Sequence, residues 1–115
     1  DMSRQRLELG AAGEALVAEW YRANGYEVLE TNWRCRQGEL DLVVRKGRVL
    51  VFCEVKTRTT DAFGTPAEAV TREKRDRIRR LAAVYLEDAP FRAREVRFDV
   101  AGILDGKLEV IEAAF

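Results

Sequence analysis

Histidine is absent from the 115-residue chain. With it go Ser-His and Cys-His nucleophile pairs, His-ligated zinc and the imidazole general base. Cysteine is scarce. Cys35 and Cys53 stand apart with no C-x-x-C spacing, which argues against zinc, redox chemistry and a disulfide framework and leaves two reduced thiols, Cys53 buried. An excess of one charge is also missing, since 20 Lys and Arg balance 20 Asp and Glu. Any polyanion site must therefore be a local patch. No apolar run approaches the roughly 18 residues of a membrane span, and Arg4, Arg6 and Glu8 stand where a secretory signal needs an apolar core. A soluble, cytoplasmic protein without membrane attachment is expected. Repeats, linkers and low-complexity tracts are lacking, so residues 1–115 read as one domain, long enough to bury a core unaided. Chemistry is left to carboxylates, lysine and a hard cation.

What is present centres on Gly38-Glu39-Leu40-Asp41-Leu42 and Val51-Phe52-Cys53-Glu54-Val55-Lys56. Charged groups in strands of Val, Leu and Phe lose hydration that partners must replace. Around them, Leu7, Ala11, Ala18 and Tyr21 recur at helical spacing from Arg4 to Asn24, with Asn24-Gly25 as the stop. Glu14 falls at the centre of that stripe, facing the core or, if the small alanines leave room, reaching solvent or an arginine. Strands are expected at Tyr26–Asn32, Glu39–Arg45 and Val49–Thr57. The third is apolar on both faces, as a central strand should be, with Glu54 and Lys56 continuing the Leu50-Phe52 face. After the polar Arg58–Gly64 loop, Thr65-Pro66-Ala67-Glu68 is a capping box opening a helix, and Thr71 caps a second segment with Ile78, Leu81, Ala82, Tyr85 and Leu86 on its apolar face. Glu95–Leu104 and Leu108–Ile111 close the chain as strands joined at Asp105-Gly106. The order α-β-β-β-α-β-β implies a mixed sheet with a parallel crossover from the third strand to the fourth, and helices on both faces or on one.

Hairpin register decides whether the acids meet. A two-residue turn at Lys46-Gly47 puts Asp41 opposite Phe52, on the Glu54 face and diagonal to it; a four-residue turn puts it directly opposite Glu54. A three-residue turn sends it to the other face. If Glu14, Asp41, Glu54 and Lys56 converge, two carboxylates ~5 Å apart repel by roughly 3 kcal/mol at an effective dielectric near 20. Lys56 neutralises one acid, and the remaining charge suits Mg2+ or Mn2+, which take oxygen ligands, water and substrate phosphate. Phosphodiester hydrolysis is the chemistry this set can run. The plainer alternative is a cross-strand Asp41–Lys56 ion pair with Glu54 solvated at a sheet end.

For binding, residues 71–80 set six cations against two acids, a local charge of plus four, much of it a solvated helix face. Lys74, on the inward stripe, should approach the site, with Arg75 beside it in that run. Arg34, Arg36 and Arg58 flank the acid-bearing strands as phosphate contacts that add affinity without sequence preference. Trp33 is either a core aromatic or a base-stacking surface.

Asp41, twelve intervening residues, then Glu54-Val55-Lys56 resembles the PD-(D/E)xK nuclease signature, with Leu40 where its name puts proline. The added helical Glu14 is similar to the arrangement in archaeal Holliday-junction resolvases. Gly13-Glu14, Asn32-Trp33-Arg34, Gly38 to Leu42, Phe52 to Arg58, Phe63-Gly64, Arg97-Phe98-Asp99-Val100 and Ala114-Phe115 further resemble the bacterial YraN family over nearly the whole chain. The resemblance implies a restriction-endonuclease-like α/β fold, Asp41 and Glu54 as catalytic metal ligands, Lys56 as the catalytic lysine, Glu14 as auxiliary acid, and Mg2+ or Mn2+ as cofactor. It implies a nucleic-acid substrate, DNA rather than RNA, including branched or structured DNA, and admits a homodimer. The alternative is a non-catalytic nucleic-acid or protein interaction module that retains the fold.

Overall fold

The expected element order is the observed one. The computed structural model describes residues 2–58 and 64–115, so most of the Arg58–Gly64 loop, Phe63 included, lies outside the described residues. Helix α1 (Met2–Ala23) leads into strands β1 (Glu27–Cys35), β2 (Gly38–Lys46) and β3 (Val49–Arg58). Helices α2 (Pro66–Ala69) and α3 (Arg72–Glu87) follow, then β4 (Glu95–Leu104) and β5 (Lys107–Ile111). The strands lie side by side in chain order, antiparallel except for the parallel β3–β4 pair. Val51 and Cys53 pack toward α1 with Val17, Ala18 and Tyr21, whereas Leu50 and Phe52 pack toward α3 with Ile78, Leu81 and Ala82. The two-sided apolar pattern of β3 thus puts one helix on each face. Thr65 accepts a hydrogen bond from Glu68 N (3.2 Å) and Thr71 one from Lys74 N (3.3 Å), the caps that start α2 and α3.

The stripe on α1 differs from the expected one. Gly13, Val17, Ala18 and Tyr21 are buried and Ala11 is exposed, so the stripe is turned toward Gly13 and Val17; Glu14, half-buried, still falls within it, and the Leu7 side chain lies outside the described residues. The rotation has a cause. A Cβ at Gly13 would overlap Thr57 Oγ1 and press on Ile103, so only glycine lets α1 lie this close to β3. Gly13→Ala should cost about 1–3 kcal/mol through overpacking, although alanine is preferred in helices by about 1 kcal/mol. Urea unfolding of Gly13→Ala, Thr57→Ala and the double variant measures this, with much of the loss recovered in the double; additive effects would rule the contact out.

The β2–β3 turn is Gly47-Arg48, one residue later than Lys46-Gly47, because Lys46 pairs with Val49 and Gly47 takes the left-handed φ of +60°. The register stays even, and continuing it sets Asp41 level with Glu54. However, the β2–β3 ladder stops at Leu42–Cys53, while β2 stays paired to β1 as far as Gly38 and β3 to β4 as far as Arg58. The sheet forks. Leu40 joins the α3-side core although Leu42, two residues on, joins the α1-side core. The alternation breaks at Asp41, the residue between them.

One charge lies deep in the fold. Asp99 is fully buried and accepts hydrogen bonds from Tyr21 Oη (2.6 Å), Arg97 Nε (2.8 Å) and Nη2 (2.9 Å), and Ala113 N (3.0 Å).

Candidate active site

At the fork, Asp41 Oδ2 accepts the Val55 N–H at 2.8 Å, standing in for the ladder bond that β2 no longer supplies. One residue back on β3, Glu54 lies 3.6 Å from Lys56 Nζ, both side chains largely buried at 16% and 21% exposure. Burial, joined by the nearby Asp41 charge, pushes the Glu54 carboxyl up to about 7 against the pull of Lys56. Three of the expected residues are therefore together. From α3, Lys74 comes beside Lys56, whose ammonium holds the Lys74 amine below its ordinary value. The inward stripe of α3 delivers it there as the sequence anticipates.

Glu14 enters from α1. It is held above the usual carboxylate range by burial, with Asp41 and Glu39 adding to the effect and an Asn32 Nδ2 hydrogen bond of 2.7 Å opposing it. Glu14, Val55, Lys56 and Thr57 line a cleft of about 340 Å³, and a wider groove of about 600 Å³ runs from Lys56 and Arg58 past Pro66 to Lys107. Glu14 thus shares the cleft with Lys56 but stays tied to Asn32. Among the described residues no three Asp, Glu, Cys or His side chains form a group that could hold a metal ion.

The flanking arginines divide. Arg34 Nε lies 3.4 Å from Glu39 on the surface, and Arg36 is exposed at the β1–β2 turn. Arg58 donates to Gly64 O at 3.3 Å. Arg75 donates to Val70 O (3.0 Å) and Ala67 O (3.5 Å) and lies over the Phe115 ring, tying α2, α3 and the chain's last residues together.

Residues 13–103 match the family model described as Uncharacterised protein family UPF0102. The chain belongs to the UPF0102 family. A UPF0102 protein of Beutenbergia cavernae is 55% identical over 88% of this chain and 86% of its own length. The Moorella thermoacetica UPF0102 protein is 44% identical over 99% of this chain and all of its own length. The YraN resemblance read from the motifs is thereby shown.

Two residues of this UPF0102 chain acquire roles that sequence reasoning did not assign. Asn32 occupies the left-handed region (φ 52°), which a non-glycine residue adopts at a cost, and its amide reaches from β1 to Glu14. The signal was present in Asn32 itself, a residue type tolerated there. Asn32→Gly relieves the backbone cost and deletes the amide, so the Glu14 carboxyl should titrate higher still, read by carbon-13 NMR of its Cδ. An unmoved titration would show that the amide does not hold Glu14. Asp99 is the second, marked by Arg97 two residues earlier on the same strand face.

Proposed function

We propose that this chain is a Mg2+- or Mn2+-dependent endodeoxyribonuclease that hydrolyses phosphodiesters at the β2–β3 fork, with branched or structured DNA as the substrate class to test first. The observation that carries the reading is the meeting of Asp41, Glu54 and Lys56 where two strands part, with Lys74 arriving from α3. No strand separation is needed for an ordinary surface ion pair.

The donor set fits a hard cation. Asp41 and Glu54 bring oxygen donors only, and the upward push on Glu54 comes first from burial and then from the nearby Asp41 charge, both of which a bound cation would offset. With no three-ligand group among the described residues, the fit is to a two-carboxylate site completed by water and substrate phosphate rather than an all-protein cage. Asp41 and Glu54 would hold the ion, and Glu14 would serve as auxiliary acid across the cleft. The chemistry such an ion supplies when bound is shielding of the phosphodiester and a lowered pKa of water. Lys56 lines the cleft, where its side chain can orient the attacking water or meet charge developing on the phosphate. Lys74 adds a second positive charge for the phosphate backbone, and Arg34, Arg36 and Arg58 extend that potential along the flanks.

The test is cleavage of linear, flapped and four-way DNA with Mg2+ or EDTA, wild type against Lys56→Ala. Cleavage that needs the metal and is lost in the variant, by about 100-fold or more, supports the proposal. Equal cleavage by both would place the activity elsewhere, and none by either leaves the interaction-module reading in its place.

A further inference from the structure

Helix α3 carries its charge in an unusual sense. All six of its cations lie from Arg72 to Arg80, whereas the stretch from Leu81 onward holds no base and ends in Glu87 and the capping Asp88. Helix dipoles favour acids at the start and bases at the end, so these charges add to the macrodipole instead of offsetting it. The basic end faces Lys56. The acidic end opens on a cavity of about 500 Å³ between α3 and β1.

That cavity is walled by Trp33 and Tyr85, packed edge to face at 5.4 Å, with Leu29 and Pro90 beside them and Glu30 and Asp88 on its lining. No basic residue lines it, and among the described residues no cation pairs with Glu30 or Asp88. The Tyr85 hydroxyl is pushed up by burial and by the charge of Glu30, which lines the same cavity. Aromatic faces, two unpaired carboxylates and the negative end of a helix converge on one kind of guest. Two acids and no base match a phosphate backbone poorly.

We propose that the Trp33–Tyr85 cavity is a docking site for an arginine side chain of a protein partner, separate from the fork. A guanidinium can stack on the rings while its donors reach Glu30 and Asp88, which a compact ammonium does less well. The site stands whether or not the fork is catalytic.

The chain has two tryptophans, so two indole N–H signals serve as probe and control. Proton–nitrogen NMR of the intact protein is titrated with N-acetyl-Gly-Arg-Gly-amide, the same peptide with leucine, and a short DNA duplex. The arginine peptide should move the Trp33 indole and the Ala89 amide saturably, with a dissociation constant of about 1 mM, leaving Trp20 in place. Glu30→Gln/Asp88→Asn, which keeps side-chain shape at two polar positions, should weaken it at least fivefold. The proposal is overturned if the leucine peptide or the duplex moves Trp33 equally, if the double variant binds like wild type, or if the arginine peptide leaves Trp33 unmoved.

Discussion

Replacing Asp99 with alanine should cost about 3–5 kcal/mol of folding stability, the range for removing one partner of a buried ion pair. Asp99 has no exposed surface, and four donors from three parts of the chain end on its two oxygens: Tyr21 of α1, Arg97 of the same strand, and the Ala113 N–H beyond β5. Among the described residues the deletion leaves the Arg97 guanidinium, 17% exposed, with only Tyr26 Oη at 3.0 Å and the exposed Glu112 at 3.8 Å. Buried positive charge without its counter-ion is the main loss; the orphaned Tyr21 hydroxyl adds to it. Asp99→Asn keeps an acceptor and should lose less, about 2 kcal/mol. Asp99→Leu/Arg97→Met, which removes both charges, should recover much of the alanine deficit. Urea midpoints decide it. A loss under 1 kcal/mol in Asp99→Ala would mean that Arg97 finds water or another acid at no cost.

The sequence conveyed the sheet better than the site, for physical reasons. Two-sided apolarity in a short, β-branched stretch from Val49 to Val55 reads as a central strand, and the Thr65 and Thr71 caps act through contacts three residues long. Register also depends on local turn chemistry, so it was open only between a few discrete choices. The fork is different. Alternation assumes that a ladder continues, and β2 leaves β3 after Leu42 for reasons spread across the fold, among them the α3-side packing of Leu40. Asp41 therefore meets Glu54 as anticipated but through the Val55 N–H rather than a flat sheet face. The α1 stripe turned away from Ala11 toward Gly13 and Val17 because Gly13 permits a close approach that a hydrophobicity pattern cannot register, since glycine contributes nothing to it. Arg75 shows the same limit in the charge pattern. Its place among six cations reads as phosphate affinity, yet its donors end on backbone carbonyls that only the folded α2–α3 corner brings near.

Asp41→Asn should make the metal-free protein more stable at pH 8 and, in the same substitution, abolish its response to Mn2+. The sign follows from Glu54, whose carboxyl burial and the Asp41 charge push up to about 7 in the folded state, above the ordinary carboxylate range. A raised carboxylate means that the folded state binds the proton more tightly. The stability it contributes is complete below about pH 4.5 and is lost as pH rises through about 7, on the order of 3 kcal/mol. Asparagine removes the neighbouring negative charge, leaving burial to act alone, so the decline between these pH values should shrink. Its side-chain oxygen can still accept the Val55 N–H, so the fork need not collapse. A bound divalent cation relieves the same repulsion in wild type, stabilising it by about 2.7 kcal/mol at a hundred times its dissociation constant. The two effects oppose each other in one variant: a higher melting temperature without metal and none of the metal-induced rise. Loss of the metal response alone would also follow from simple damage to the fold. Loss together with gain follows only if Asp41 and Glu54 repel one another across the fork. A variant that melts earlier at pH 8 and still responds to Mn2+ would separate Asp41 from both the charge surplus and the ion.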